Sequence, residues 1–301
     1  MKGYKGFEKG LVCRGKQYAE NTVYEEENAV ICKSGMHYCK NPLDVLDYYP
    51  LLNDNAELNE YCEVEDLDVP VTDDNKKFAT KKLKIGLKLS FNAFIKAAID
   101  FVFESSKENN DCGDSAKLAS SGDSAKLASS GYYAQLASSG DSAKLASSGD
   151  SAKLASSGNY AQIASSGNYA QLASSGNYAQ LASSGNYAKL ASSGNYAKLA
   201  SSGIYAQLAS SGNYAKLASS GNYAKLASSG DSAQLASSGK NSIVCAIGVN
   251  SIAKAAKGSW ITLAEYDKNY IVKCVKTEKV TGKRIKADTW YRLRNGMFEE
   301  V

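Results

Sequence analysis

From Gly113 onward the apolar and polar positions recur every nine residues. The unit G-[ND]-[YS]-A-[KQ]-L-A-S-S repeats fourteen times over Gly113–Ser238 without insertion or deletion. Inside each unit the stretch Y-A-K-L-A alternates. Ala and Leu (Ala116 and Leu118 in the first unit) share one side; Tyr or Ser, Lys or Gln, and the second Ala share the other. A glycine in every unit opposes long helices, and Ser-Ser-Gly-Asn is a turn sequence. A unit this short buries nothing alone and becomes stable only by stacking on its neighbours. The pattern therefore predicts a parallel β-solenoid with Ala and Leu inside and Ser-Ser-Gly-Asn at the corners. Two nonapeptides per coil is the favoured reading, with three and a triangular section as the alternative. Seven coils at a strand spacing of ~4.8 Å give a rod on the order of 35 Å long.

The substitutions within the repeat are paired. All five units with Ser third have Asp second, whereas seven of the nine units with Tyr third have Asn second; Tyr132 and Ile204 are the exceptions. The Tyr units fill the middle of the tract. Stacking them predicts one or two external ladders from Tyr160, Tyr169, Tyr178, Tyr187, Tyr196, Tyr205, Tyr214 and Tyr223, flanked by Lys189, Lys198, Lys216 and Lys225. Such ladders stiffen a coil. They also offer a rigid contact surface with polar tips, and these twelve residues are the candidate binding residues.

The flanks read differently. Residues 1–112 form an α+β domain with short strands at Asn28–Cys32, Glu60–Glu65 and Lys82–Leu87. A short helix opens at Asn41-Pro42, and a longer one follows Ser90 with Phe91, Phe94, Ile95, Ile99, Val102 and Phe103 on one stripe. That helix is expected to cover the exposed end of the solenoid, through a polar link at Glu104–Asp111. The repeats occupy 113–239. Over 240–301 the period is read as slipping by one residue at Lys240, with degenerate units from Asn241 and Asn250 and then a small β cap. Its strands are expected at Trp260–Tyr266, Tyr270–Lys276, Thr289–Leu293 and Met297–Glu299, with an Asn295-Gly296 hairpin and a core filled by Trp260 and Trp290. The fold class is mainly β: a nonapeptide β-solenoid between an α+β N-terminal domain and a small β C-terminal domain.

Charge changes the picture only where it is divided. The total of +4 is the sum of −5 over 1–112, +3 over 113–239 and +6 over 240–301. One Lys in about half the repeats is too sparse for a nucleic-acid stripe, so nucleic acid is not an expected partner. Seven cysteines at irregular spacing, behind an opening MKGYKGFEKG without an apolar signal core, point to reduced thiols in a cytoplasm. No run suits a membrane span. Cys13, Cys32, His37 and Cys39 lack the Cys-x-x-Cys turn of a zinc site, and most of the repeats lack both the Gly-Gly and the Asp of calcium-binding nonapeptides. The expectation is no metal site and no cofactor. No phosphate loop or nucleophile elbow occurs, and the serines of the repeats have no accompanying base.

The strings GYKGFEKGLVCRGKQY, SGMHYCKNPLDVLDYYP and YCEVE, with the tail GSWITLAEYD…KADTWYRLRNGMF, resemble a family of uncharacterised phage and prophage proteins. That resemblance implies no catalytic residues. By analogy it implies a cytoplasmic accessory protein in a bacterial host, non-enzymatic, with a protein partner such as a defence factor that it inhibits; self-association is open. Two alternatives stand beside it. One is an enzyme in the N-terminal domain loosely similar to ADP-ribosyltransferases, with Tyr4, His37 and Glu63 as its site. The other is a structural or adhesive fibre segment.

Overall fold

The computed structural model describes residues 1–105 and 113–301. Cys112 and most of the expected Glu104–Asp111 link lie outside the described residues. The chain divides into two compact units, one of Met1–Asn53 and Leu58–Phe101, the other of Asp54–Glu57 and Val102–Val301.

The first unit is built on an antiparallel sheet. Its elements are β1 (Lys2–Phe7), the small hairpin β2 (Val12–Cys13) and β3 (Lys16–Gln17), β4 (Thr22–Glu25), β5 (Met36–Cys39), α1 (Pro42–Val45), β6 (Glu60–Asp66), β7 (Lys77–Thr80), β8 (Lys82–Leu89) and α2 (Phe91–Ser105). The sheet order is β4-β8-β6-β1-β5-β7, with β6 and β5 on either side of β1. The sequence pattern finds β6, β8 and both helices. Asn41 caps α1 by accepting the Leu43 N–H at 3.0 Å. Ser90 does the same for Ala93 at 3.2 Å. On α2 the buried stripe is Phe94, Ile95, Ala98, Ile99 and Val102, and Phe94 stacks on Tyr61 with ring centroids 3.9 Å apart.

One expectation needs correction. Asn28–Cys32 is no strand. It folds into a turn closed by backbone bonds between Val30 and Ser34, with Cys32 at φ 60° and its N–H bonded to His37 Nε2 at 3.0 Å. β1 is not among the expected strands, and it carries two glycines. Each gives room for an aromatic: a Cβ on Gly3 would strike the Tyr38 ring, and one on Gly6 would strike Tyr49.

The second unit is the solenoid. Each of its two sheets holds ten strands. Sheet I contains the repeat strands that begin at Lys117, Gln135, Lys153, Gln171, Lys189, Gln207 and Lys225; sheet II contains the alternate ones from Lys126 to Gln234. Pairing is parallel and in register at a spacing of eighteen residues, as in Leu127↔Leu145 and Leu136↔Leu154. Two nonapeptides therefore make one coil. Inward columns of Ala, Leu and Ser form the core, with Ala143, Leu145, Ala188 and Leu190 no more than 1 % exposed.

The corners explain three further positions. A Cβ on Gly185 would collide with the carbonyl oxygen of Gly167 one coil earlier, and the same holds from Gly131 through Gly248. Close approach of backbones, not positive φ, demands these glycines. The second residue links coils through its side chain: Asn159 Oδ1 accepts from Asn177 N–H at 2.9 Å, and Asn177 Oδ1 from Asn195 N–H at 2.8 Å. Asp serves equally, as Asp141 does for Asn159, which is why Asn and Asp share the position. The third residue has φ between 54° and 63° in every one of the fourteen units, whether Ser or Tyr.

The phase does not slip at Lys240. Asn241 and Asn250 take the positive-φ third position at 57° and 56°, and Ile243 pairs with Lys225 at the usual spacing. The slip comes one coil later, where Ile243 pairs with Trp260. Both sheets then end on antiparallel strands. Trp260–Tyr266 pairs with Val272–Lys279, and Tyr291–Arg294 joins Ile252–Ala255 on one side and Met297–Glu300 on the other. The tail core is Ile261, Leu263, Val280, Ile285, Tyr291 and Leu293. Trp260 is not part of it. It occupies the outward column after Lys225 and Ile243 and is 45 % exposed, while Trp290 is half-buried beneath the Lys254 ammonium.

Candidate functional site

Stacking at one coil per eighteen residues sorts the candidate tyrosines into two ladders. Tyr169, Tyr187, Tyr205 and Tyr223 stand at the corner that leads into sheet I, and Tyr160, Tyr178, Tyr196 and Tyr214 at the corner that leads into sheet II. Ring centroids within a ladder are 4.9–5.1 Å apart with interplanar angles of 4–15°. All eight rings stay at least 42 % exposed. A left-handed backbone costs a non-glycine residue roughly 1–2 kcal/mol. Ring stacking of ~0.5–1.5 kcal/mol per pair offsets it.

The four candidate lysines do not share a face. Lys189 and Lys225 are exposed on the outer side of sheet I. Lys198 and Lys216 are half-buried on sheet II. Burial, reinforced by the neighbouring Lys216 ammonium, pulls the Lys198 pKa down to about 8. Lys216 itself bonds Asp54 at 3.0 Å within the same unit.

The two sheets differ in what they expose. In sheet I the outward Ala column (Ala119, Ala137, Ala155, Ala173, Ala191, Ala209, Ala227) is open to solvent. With the serines that follow each strand it lines a shallow open groove of about 1280 Å³ that ends at Cys245 and Ile247. In sheet II the same column is buried: Ala146, Ala164 and Ala182 are at most 3 % exposed. Alternation in the sequence places these alanines outside but does not say which half of them stays uncovered, because the units are nearly identical.

In the first unit, Tyr4 and His37 both line a cleft, whereas Glu63 is exposed on β6 and is not part of that lining. Burial, helped by the charges of Lys77, Lys5 and Arg14, pulls the His37 pKa down to about 4. Its Nε2 accepts the Cys32 N–H, which a neutral ring can do and an imidazolium cannot. Among the described residues no three His, Cys, Asp or Glu side chains are gathered as a metal would need, and no helix is long and apolar enough to cross a membrane.

Residues 1–97 match the family model of a domain of unknown function, DUF7666. The match covers the sheet, its cleft and the first half of α2, and stops before the repeats. No curated protein and no solved structure matches the chain.

Proposed function

We propose that this chain is a non-enzymatic binding protein that presents sheet I of its solenoid, edged by the Tyr169–Tyr223 ladder, to a protein partner. One observation carries this reading: the outward Ala and Ser columns of sheet I are open along seven successive coils, while the equivalent alanines of sheet II are buried. An exposed lane of small apolar groups beside rigid aromatic rings suits a partner that lays a flat surface or an extended segment along it. The lane extends on the order of 30 Å at a strand spacing of ~4.8 Å. The resemblance of the flanks to phage and prophage proteins supports a partner among the defence proteins of a bacterial host, with this chain acting as its inhibitor in the cytoplasm.

Capture from a bacterial lysate, with the bound protein identified and its affinity measured after purification, tests the reading. Changing Tyr169, Tyr187, Tyr205 and Tyr223 to Ser, or Ala173 and Ala191 to Glu, is expected to abolish capture. Changing Tyr160, Tyr178, Tyr196 and Tyr214 to Ser is expected to preserve it. Ser already stands at the third position in five units, so the coil tolerates it. Equal capture by all forms would remove sheet I as the interface.

A further inference from the structure

The cleft in the first unit carries charge that its own protein groups do not neutralise. It holds about 280 Å³ and is lined by five cationic side chains, Lys5, Arg14, Lys16, Lys33 and Lys77, against a single carboxylate, Glu26. The sequence up to Asp111 has a net charge of −5, so this concentration of positive charge runs against its surroundings. Glu26 is bonded to Lys16 at 3.0 Å. The other four cations pair with no carboxylate among the described residues.

Two of those four are buried. Lys5 is 5 % exposed; its Nζ donates to the His37 carbonyl at 2.9 Å and lies 5.5 and 5.6 Å from the centroids of Phe7 and Tyr18. Lys77 is 9 % exposed, with its Nζ 3.3 Å from Cys32 Sγ and 4.1 Å over the Tyr48 ring. A buried ammonium facing only carbonyl, sulfur and aromatic groups is costly unless an anion completes it. Arg14 and Lys33 are exposed side chains of the same lining and supply further donors. Lys5, Lys77 and Arg14 line the same cleft as His37, and all three charges act to lower its pKa.

We infer that this cleft binds a small phosphate-bearing molecule, no larger than a nucleotide, with the phosphate held among Lys5, Arg14, Lys33 and Lys77. The volume lies near the lower end for small-molecule pockets. Arg and Lys together are the side chains that match phosphate geometry and charge. Tyr18, Tyr48 and Tyr49 line the same cleft and provide aromatic surface for whatever the phosphate is attached to.

Titration calorimetry on the full chain with inorganic pyrophosphate, AMP, ADP and adenosine tests the site. Expected are heats with AMP and ADP that weaken as salt is raised, and none with adenosine. Binding of pyrophosphate as tight as that of ADP would assign the site to the phosphate alone, and tighter binding of ADP would add the base. Arg14→Gln with Lys33→Gln changes two exposed side chains and is expected to weaken binding at least ~10-fold, because both charge-assisted donors to the phosphate are lost. Lys5→Met, which keeps the apolar stem, is expected to weaken it further. The sheet I tyrosine variants are expected to bind like the unaltered chain, which separates this site from the proposed solenoid interface. The inference is overturned if none of the three phosphates binds at millimolar concentration, if adenosine binds as well as AMP, or if Arg14→Gln with Lys33→Gln leaves affinity unchanged.

Discussion

Single positions in the repeat are fixed by different forces. At Gly185 the force is steric. An added methyl would meet the Gly167 carbonyl, and neither coil can withdraw without breaking in-register bonds. Gly185→Ala is expected to lower stability by about 1–3 kcal/mol, the usual range for overpacking, read as a shift in urea midpoint. Ser174 shows the opposite case. Its buried hydroxyl has no hydrogen-bond partner, so Ser174→Ala is expected to leave the midpoint unchanged or raise it slightly, since an unsatisfied polar group costs ~1–3 kcal/mol. His37 adds a pH dependence. Its folded pKa of about 4 lies below the ordinary 6.5. Above pH 6.5 both folded and unfolded chains are neutral there and its stabilisation is complete. As pH falls from 6.5 towards 4 the unfolded chain takes up a proton that the folded one refuses, and stability is lost. Thermal melts across this window are expected to show a shallower acid decline in His37→Gln than in the unaltered chain.

At the scale of the element, the repeat is legible in the sequence and the strands of the first unit only partly so. A nine-residue period with inward Ala and Leu gives the strands, their direction and the corners, and the coil needs nothing else. Ladder geometry is also nearly implicit, since in-register stacking places identical residues ~4.8 Å apart. What period alone leaves open is the number of units per coil, because two and three both align identical residues; the eighteen-residue pairing decides it. Stacked rings at a left-handed backbone position predict a measurable balance. Changing Tyr178 and Tyr196 to Ser removes three stacked contacts and is expected to cost about 1.5–4.5 kcal/mol, without change in the far-ultraviolet β signal. In the first unit, β1 escapes notice because Gly3 and Gly6 look like loop residues until Tyr38 and Tyr49 are seen lying on them. The turn at Val30–Ser34 escapes because the His37 ring that holds it comes from a neighbouring strand.

For the solenoid as a whole, two units per coil impose a parity rule. Removing eighteen residues, Gly167–Ser184, takes out one coil and returns every later strand to its own sheet. Removing nine, Gly167–Ser175, sends every later strand to the opposite sheet and presents Trp260–Tyr266 and Ile252–Ala255 on exchanged sides. The eighteen-residue deletion is expected to keep a cooperative melt within a few degrees of the full chain, whereas the nine-residue deletion is expected to melt lower and less cooperatively. Two deletants that melt alike would contradict the two-sheet arrangement.

The amino-acid order by itself determined the stacked coil, its inward and outward columns and the existence of tyrosine ladders, because these follow from local alternation and strict period. Tertiary structure alone decided which alanine column stays open, where the two ladders stand and how Lys5, Arg14, Lys33 and Lys77 reach one cleft. Those features depend on contacts between residues far apart in the chain, and near-identical repeats carry no local mark that tells one sheet from the other.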